Sequence, residues 1–152
     1  MPNMFKAIGN SPAALQSMFG SFGALGEGKL GAQLGEQIAV HIANMNRCEY
    51  CLAAHTVLGK NAGLSAEQIA SAQVGQSTDA KTQAVLDFVT KLVKNRAQIT
   101  QVDVQIVRDS GFSNEDIAEM LAHVALNIFT NYTNIAFDVE VDFPQMPLLP
   151  TA

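Results

Sequence analysis

The chain is poor in charge, in cysteine and in internal proline. Charged residues make up 15% of its 152 residues, whereas an average soluble domain has about 25%. Nine residues are lysine or arginine, against fourteen that are acidic, which leaves a net charge of −5. Because nucleic-acid backbones are bound through clustered Lys and Arg, and these nine form no patch, the composition argues against a nucleic-acid partner.

Long apolar runs are also missing. No stretch approaches the roughly 18 apolar residues of a membrane span, and no basic segment followed by an apolar one opens the chain, as it would in a secretory signal. We therefore expect no membrane association and a cytoplasmic location. Cys48 and Cys51 are the only cysteines. In a reducing compartment, such a pair is typical of catalysis or metal binding rather than of a structural bridge.

Proline is confined to the two ends of the sequence, at positions 2 and 12 and then only from position 144 onward. Between them the apolar residues follow the helical period, and no alternating stretch is long enough for a sheet. The pattern predicts an all-α fold of about six to seven helices, in a single domain that covers residues 1–152. The expected helices span residues 12–28, 30–44, 78–95, 101–110 and 113–137, with two more that begin at residue 47 and after Ser65.

One sequence pattern occurs twice, at residues 63–70 and 111–118. In each copy a glycine ends one helix in the left-handed conformation, a serine caps the next helix, and two apolar residues can form a hydrophobic staple. The pattern predicts two helical hairpins. It fits an internal duplication and ordinary helix-turn-helix punctuation equally well.

The two cysteines and His55 have the spacing of one helical stripe, i to i+3 and then i+4. We expect Asn46 to be the N-cap of this helix and Glu49 its capping-box partner. Cys48 then occupies the second helical position, where free N–H groups and the helix dipole favour a thiolate. Cys51 lies one turn deeper, can meet His55, and is a second candidate nucleophile. Since two thiols at this spacing can close a disulfide, the stripe is a candidate redox centre.

Glu36 precedes Cys48 by twelve residues, which on a continuous helix would separate the two by about 18 Å. A turn at residues 44–47 would instead let two helices pack side by side and bring Glu36 to His55. There the carboxylate would orient the imidazole and complete a Glu, His, Cys proton relay. Taken alone, a glutamate at this position is more typical of the solvated surface.

Glu36, residues 48–55 and the Gly-Leu-Ser of residues 63–65 together resemble the core motif of the alkylhydroperoxidase D branch of the carboxymuconolactone decarboxylase family. The match spans residues 34–70, and residues 125–134 are similar to the long C-terminal helix of these proteins. The resemblance implies an all-helical subunit that assembles into trimers or hexamers. It also implies a peroxidase that needs no metal or cofactor, takes a hydroperoxide as substrate and is reduced again by a thiol or dithiol donor.

The same resemblance implies a role for each site residue. Cys51 would be oxidised to sulfenic acid, Cys48 would donate a proton and resolve the sulfenic acid as a disulfide, and Glu36 with His55 would form the relay. Tyr50 departs from the pattern, because the well-studied alkylhydroperoxidases have histidine there, and the identity of the reductant is therefore left open. The decarboxylase branch lacks the two cysteines, so lactone decarboxylation is not expected.

Two other interpretations remain open at this point. Cys48, Cys51 and His55 could bind a metal ion with His41 as a fourth ligand, although a zinc site usually has a second Cys/His pair elsewhere in the sequence. The chain could also be a non-catalytic oligomeric protein with two buried cysteines. Outside such a site, His41 and His123 are each typical of structural histidines.

The last helix carries a polar stripe of His123, Asn127, Asn131 and Asn134. Such a stripe is most often the solvated face of an amphipathic helix, and a subunit contact or a pocket lining is the alternative. Residues 139–152 follow as an extended, apolar tail, which lies across a neighbouring subunit or forms a mobile end.

Composition also predicts assembly. With 48% apolar residues, a lone subunit would expose more apolar surface than monomers usually do. We therefore expect a homo-oligomer whose interface uses the helix of residues 113–137, with Phe129 and Tyr132 as its anchors.

Overall fold

In the computed structural model, which describes residues 1–151, the chain forms eight α-helices and this part of it has no strand. The helices are α1 (Asn3–Ile8), α2 (Pro12–Gly26), α3 (Gly31–Met45), α4 (Glu49–Asn61), α5 (Ala66–Gln73), α6 (Ala80–Lys94), α7 (Gln101–Asp109) and α8 (Asn114–Ala136). The all-α prediction is confirmed, and α1 is the helix that the sequence pattern did not predict. Over the described range, no helix is long and apolar enough to cross a membrane.

The repeated pattern at residues 63–70 and 111–118 produces the same local structure twice. Gly63 and Gly111 both adopt a φ of 94°, a left-handed conformation that glycine reaches without a steric penalty. Ser65 and Ser113 then close capping boxes at the starts of α5 and α8. The two predicted helix boundaries are confirmed, because each depends on short-range interactions that the sequence displays directly.

The central helix is α3, which packs against α4, α5, α6 and α8. Ile38 and Ile42 lie in an apolar cluster with side chains of α6, α7 and α8. Val40 and Ala43, on another side of the same helix, pack with the start of α4. Each fully buried aliphatic side chain of this kind stabilises the fold by about 1.5–3 kcal/mol. Glu36 therefore projects from a helix that is fixed on several sides.

The tail folds back over its own subunit, whereas the sequence suggested a contact with a neighbour or a mobile end. Its apolar side chains pack against the cluster that contains the cysteines. Asn44 accepts a hydrogen bond from the Leu149 N–H at 2.9 Å, and Arg47 donates to the Leu149 carbonyl oxygen at 2.8 Å. The tail thus covers the turn between α3 and α4.

Candidate active site

The turn between α3 and α4 places the cysteines, and it differs from the predicted turn. The N-cap of α4 is Cys48 rather than Asn46, and the helix begins at Glu49. The reason is a Schellman motif, in which the Cys48 N–H bonds to the Ala43 carbonyl oxygen and the Arg47 N–H to that of Asn44. Arg47 occupies the left-handed position of this motif with a φ of 60°. Glycine usually marks that position, and no glycine is present here to signal the end of α3.

A disulfide joins Cys48 and Cys51, whose Cα atoms lie 5.3 Å apart, within the usual range for such a bond. As the N-cap, Cys48 accepts a hydrogen bond from the Cys51 N–H through its sulfur at 3.2 Å. The side chains are 1% and 2% exposed, respectively. The pair is therefore closed and covered, in a position where helix N–H groups reach the first sulfur.

Glu36 and His55 meet although 19 residues separate them in the sequence. The Nδ1 atom of His55 lies 2.8 Å from Oε2 of Glu36, and the two side chains are 15% and 21% exposed. A carboxylate acceptor favours the proton on Nδ1, which leaves Nε2 available to other groups. The side-by-side packing of α3 and α4 thus produces the predicted carboxylate–imidazole contact.

Cys51, Glu36 and His55 border one cavity of about 410 Å³. Its wall is otherwise mostly apolar. The apolar side chains include Met4, Phe5, Phe22, Tyr50, Leu58 and Phe143. They come from α1, α2, α4 and the tail, so chain segments distant in sequence build the space beside Cys51.

A second, smaller cavity of about 170 Å³ also adjoins the carboxylate–imidazole pair, since Glu36 and His55 line both spaces. His123 lines this second cavity. Burial lowers the pKa of His123, an effect that the carboxylates of Glu119 and Glu36 oppose. Gly35 makes room for the ring, because a Cβ at that position would lie 3.1 Å from Cε1 of His123. His123 therefore neighbours the site as a half-buried imidazole whose neutral form is favoured.

The polar stripe of α8 faces inward, and the prediction of a solvated face is wrong for its three asparagines. Asn127, Asn131 and Asn134 are all buried. Asn131 accepts a hydrogen bond from the Asn46 side chain at 3.1 Å, and Asn134 donates one to the sulfur of Cys51 at 3.1 Å. The spacing identified the stripe, but periodicity alone does not tell which side of a helix faces the core. Asn134 is consequently a residue of the candidate site that the sequence analysis did not identify as one.

The outward side of α8 is apolar instead. Tyr132 is 59% exposed and Ile135 is 48% exposed. Phe129, the other predicted interface anchor, packs within its own subunit against the cluster of Ile8, Met18 and Leu126. Of the two predicted anchors, only Tyr132 is therefore prominent on the surface.

Tyr50 lies between the cysteines and the two chain segments that cover them. Its hydroxyl accepts a hydrogen bond from the Met4 N–H at 3.2 Å, and its ring packs edge-on against Phe143 with centroids 5.6 Å apart. Burial raises the pKa of Tyr50 to about 12, although the Met4 N–H opposes the shift. The phenol is therefore neutral at physiological pH and can act as a packing group and hydrogen-bond acceptor.

His41 lies apart from the cysteines. Its Nε2 atom is 2.7 Å from Oγ1 of Thr90 and its Nδ1 atom is 3.4 Å from the Gln73 carbonyl oxygen. Within residues 1–151, no group of three or more His, Cys, Asp or Glu side chains could hold a metal ion. The fourth ligand that the metal interpretation required is thus engaged elsewhere.

Comparison with known proteins supports the family resemblance. A family model described as the carboxymuconolactone decarboxylase family matches residues 12–94. An uncharacterized peroxidase-related protein from Ralstonia eutropha JMP134, described as an alkylhydroperoxidase AhpD core, is 26% identical, with a TM-score of 0.78 over 95% of this chain and 77% of that one. No curated protein matches significantly.

Two further solved structures are similar in fold. An uncharacterized peroxidase-related protein from Silicibacter sp. TM1040 is 24% identical, with a TM-score of 0.78 over 95% of this chain and 76% of that one. The debrominase Bmp8, in a complex with 2,3,4-tribromopyrrole, is 19% identical, with a TM-score of 0.82 over 93% of this chain and 78% of that one. At these identities the likeness establishes the shared helical fold.

Proposed function

The chain belongs to the carboxymuconolactone decarboxylase family, and on that basis we propose that it is a thiol-dependent peroxidase that reduces alkyl hydroperoxides. The observation that carries the proposal is the position of Cys51. It is half of a closed disulfide and borders the same cavity as the Glu36 and His55 pair. A redox-active sulfur, a proton-transfer pair and a space for substrate thus share one site.

The cycle begins when the Cys51 thiolate attacks the terminal oxygen of the hydroperoxide. The O–O bond breaks, the alcohol leaves with a proton from the relay of His55 and Glu36, and Cys51 becomes a sulfenic acid. The Cys48 thiolate then attacks the Cys51 sulfur, the S–O bond breaks, and water leaves after protonation. The product of this second step is the disulfide.

An external thiol or dithiol closes the cycle by thiol–disulfide exchange, which returns two electrons and two protons to the cysteines. Because both sulfurs are almost fully buried, this donor reaches them only where the covering segments give way. The donor is therefore either a small thiol or a dithiol on a flexible arm.

The apolar cavity favours a hydroperoxide with a hydrocarbon body. Burial of a methylene group contributes about 0.8 kcal/mol. The apolar side chains that line the cavity, such as Met4 and Phe143, offer such contacts in a space of about 410 Å³. Hydrogen peroxide would gain none of this binding energy. We therefore assign alkyl hydroperoxides as the substrate class.

We also propose that the protein works as a closed homo-oligomer, a trimer or a hexamer. The support is the apolar surface on the outward side of α8 and just after its end, where Tyr132, Ile135 and Phe137 are exposed. Light scattering in solution tests this directly. A mass equal to the 16.2 kDa of one subunit at micromolar concentration would contradict it.

The peroxidase is tested with two serine variants that separate the roles of the cysteines. The reduced wild-type protein should lose both titratable thiols with one equivalent of cumene hydroperoxide. Cys51→Ser should abolish peroxide consumption. Cys48→Ser should undergo one oxidation and retain Cys51 as a sulfenic acid that dimedone labels.

The second variant is a well-matched probe, since serine is itself a preferred N-cap and keeps the start of α4 intact. Labelling of Cys48 in the Cys51→Ser variant would reverse the assigned order of attack. Persistence of both thiols in the wild-type protein after prolonged exposure to peroxide would refute the proposed chemistry.

A further inference from the structure

Asn134 is the polar side chain that reaches the sulfur of Cys51. It lies near the end of α8, is 3% exposed, and its Nδ2 atom donates to Sγ of Cys51 at 3.1 Å. An amide nitrogen can only donate hydrogen bonds. The contact therefore places a fixed donor at the atom that, in the proposed cycle, carries a negative charge before it attacks.

The two sulfurs obtain their donors from different sources. Cys48 is the N-cap of α4 and receives the Cys51 N–H at 3.2 Å, so the helix itself can stabilise its thiolate. Cys51 lies within the first turn, and its own N–H is already engaged by Cys48. Local structure alone would thus favour Cys48 as the more acidic thiol. Asn134, on another helix, supplies the hydrogen-bond donor that the first turn of α4 does not offer to Cys51.

The other half of the same amide is unsatisfied. Within the described residues, Oδ1 of Asn134 is buried without a hydrogen-bond partner. A buried polar atom without a partner is destabilising. Asn131 is half-paired as well, since its Nδ2 atom is buried without a partner in the described part of the chain, but its paired end meets Asn46, whereas the paired end of Asn134 meets the sulfur of Cys51.

We propose that Asn134 stabilises the Cys51 thiolate by hydrogen bonding and so determines which of the two thiols attacks the hydroperoxide. A thiolate accepts a hydrogen bond more strongly than a disulfide sulfur does, so the contact favours the reduced, ionised form. The effect on the acidity of Cys51 follows from the geometry, and its catalytic consequence rests on the proposed peroxidase function.

The same contact also determines which sulfur of the disulfide the reductant attacks. When the thiolate of an external dithiol attacks Cys48, the bond between the two cysteine sulfurs breaks and a mixed disulfide forms on Cys48. The electron pair of the broken bond passes to Cys51, which leaves as a thiolate held by Asn134. Attack by the second thiol of the donor on the donor's own sulfur then releases Cys48 as a thiolate and yields the oxidised donor. Leaving groups with a lower thiol pKa depart faster, so Asn134 directs the donor to Cys48.

The test measures the acidity of one thiol at a time. In a Cys48→Ser background the rate of alkylation by iodoacetamide as a function of pH gives the pKa of Cys51. Asn134→Leu should raise that pKa by about one unit, the size expected for loss of one hydrogen bond to a charged group. Near neutral pH the alkylation rate should then fall by up to about tenfold.

Two matched controls isolate the contact. Asn131→Leu, in the same background, makes the same substitution at another buried position of α8 whose oxygen pairs with Asn46, and it should leave the pKa of Cys51 unchanged. In a Cys51→Ser background, Asn134→Leu should leave the pKa of Cys48 unchanged. Equal shifts for both thiols, or an equal shift with Asn131→Leu, would mean a general change in burial and would overturn the proposal.

The stability of Asn134→Leu toward urea distinguishes this role from a purely structural one, because only a structural role predicts a large loss of stability. Because Asn134→Leu also removes the unpaired Oδ1, its urea midpoint should remain close to that of the parent. A large loss of stability with an unchanged pKa would assign Asn134 to the fold and overturn the inference. If the leucine variant does not fold, Asn134→Ala removes the donor without adding a charge. That variant must then raise the pKa of Cys51 for the inference to stand.

The acidity measurement needs no peroxide, so the two proposals can fail independently. A shifted pKa in a protein that never consumes hydroperoxide would leave the role of Asn134 intact and remove the peroxidase. Peroxide consumption by the wild-type protein, together with an unshifted Cys51 pKa in Asn134→Leu, would leave the peroxidase intact and remove the role of Asn134.

Discussion

Replacement of Glu36 tests the proton relay at its most exposed member. The carboxylate meets Nδ1 of His55 at 2.8 Å, and in the proposed relay it acts through that ring. Glu36→Gln keeps an oxygen acceptor of nearly the same shape but removes the charge. Glu36→Leu removes both the charge and the acceptor. The two variants therefore form a graded series in which packing changes little and hydrogen-bond strength falls stepwise.

The expected magnitudes follow from the contact itself. A hydrogen bond to a charged group contributes about 1.5–3 kcal/mol and is about twice as strong as a neutral one. Glu36→Gln should therefore cost about 1 kcal/mol and slow the oxidation of Cys51 about fivefold, at about 1.4 kcal/mol per tenfold. Glu36→Leu should slow it about tenfold to a hundredfold. Because the pair is partly exposed, the lower ends of these ranges are expected.

The assay is a single-turnover oxidation of the reduced protein. The sequence contains no tryptophan, so quenched-flow alkylation followed by mass spectrometry replaces fluorescence. Glu67→Gln is the matched control, since Glu67 is an exposed glutamate in the first turn of α5. Cys51 of this variant should be oxidised at the wild-type rate. Oxidation of Glu36→Leu at the wild-type rate, or equal slowing of Glu36→Gln and the Glu67→Gln control, would refute the relay.

Tyr50→Phe removes the hydroxyl that accepts the Met4 N–H and should lower the free energy of unfolding by about 1–3 kcal/mol. Urea denaturation of the oxidised protein measures this, and an unchanged midpoint would show that the bond contributes nothing. Among n-alkyl hydroperoxides, the second-order rate constant should rise about fourfold per added methylene until the cavity is filled, and a preference for hydrogen peroxide would contradict the assigned substrate class. Burial lowers the pKa of His41 below its ordinary 6.5, so the unfolded state binds a proton that the folded state does not. The free energy of unfolding should therefore fall as the pH drops through about 6.5, and a slope that His41→Gln leaves unaltered would exclude this cause.

Short-range signals in the sequence predicted much of the fold. Ser11 caps α2 with Pro12 at its first position, and the serines of the repeated pattern cap α5 and α8. The contact of Glu36 with His55 is also predicted from the sequence, because two amphipathic helices joined by a tight turn pack side by side. The caps depend on residues within one turn of each other, and the contact of Glu36 with His55 depends on a single tight turn between neighbouring helices, so the sequence displays the signals for both.

The features that were missed depend on long-range contacts or on the absence of a usual marker. Arg47 holds the left-handed position that glycine normally marks, so the sequence pattern places the N-cap of α4 at Asn46 instead of Cys48. The direction in which Asn134 faces is set by helices far away in the sequence. The sequence does not indicate that the tail covers its own subunit, because the hydrogen bond of Leu149 to Asn44 joins residues 105 apart.

The covering of the disulfide has a kinetic consequence. Asn3 bonds to the Asp142 side chain at 2.8 Å and to the Glu140 carbonyl oxygen at 3.1 Å, so α1 and the tail are joined to each other above the cysteines. Because Cys48 and Cys51 are 1% and 2% exposed, a donor cannot collide productively with their sulfurs until this cover opens. The rate of reduction should consequently level off at high donor concentration, at a plateau equal to the opening rate and common to all donors. Hydrogen exchange at the Met4 and Leu149 amides would then report the same opening event.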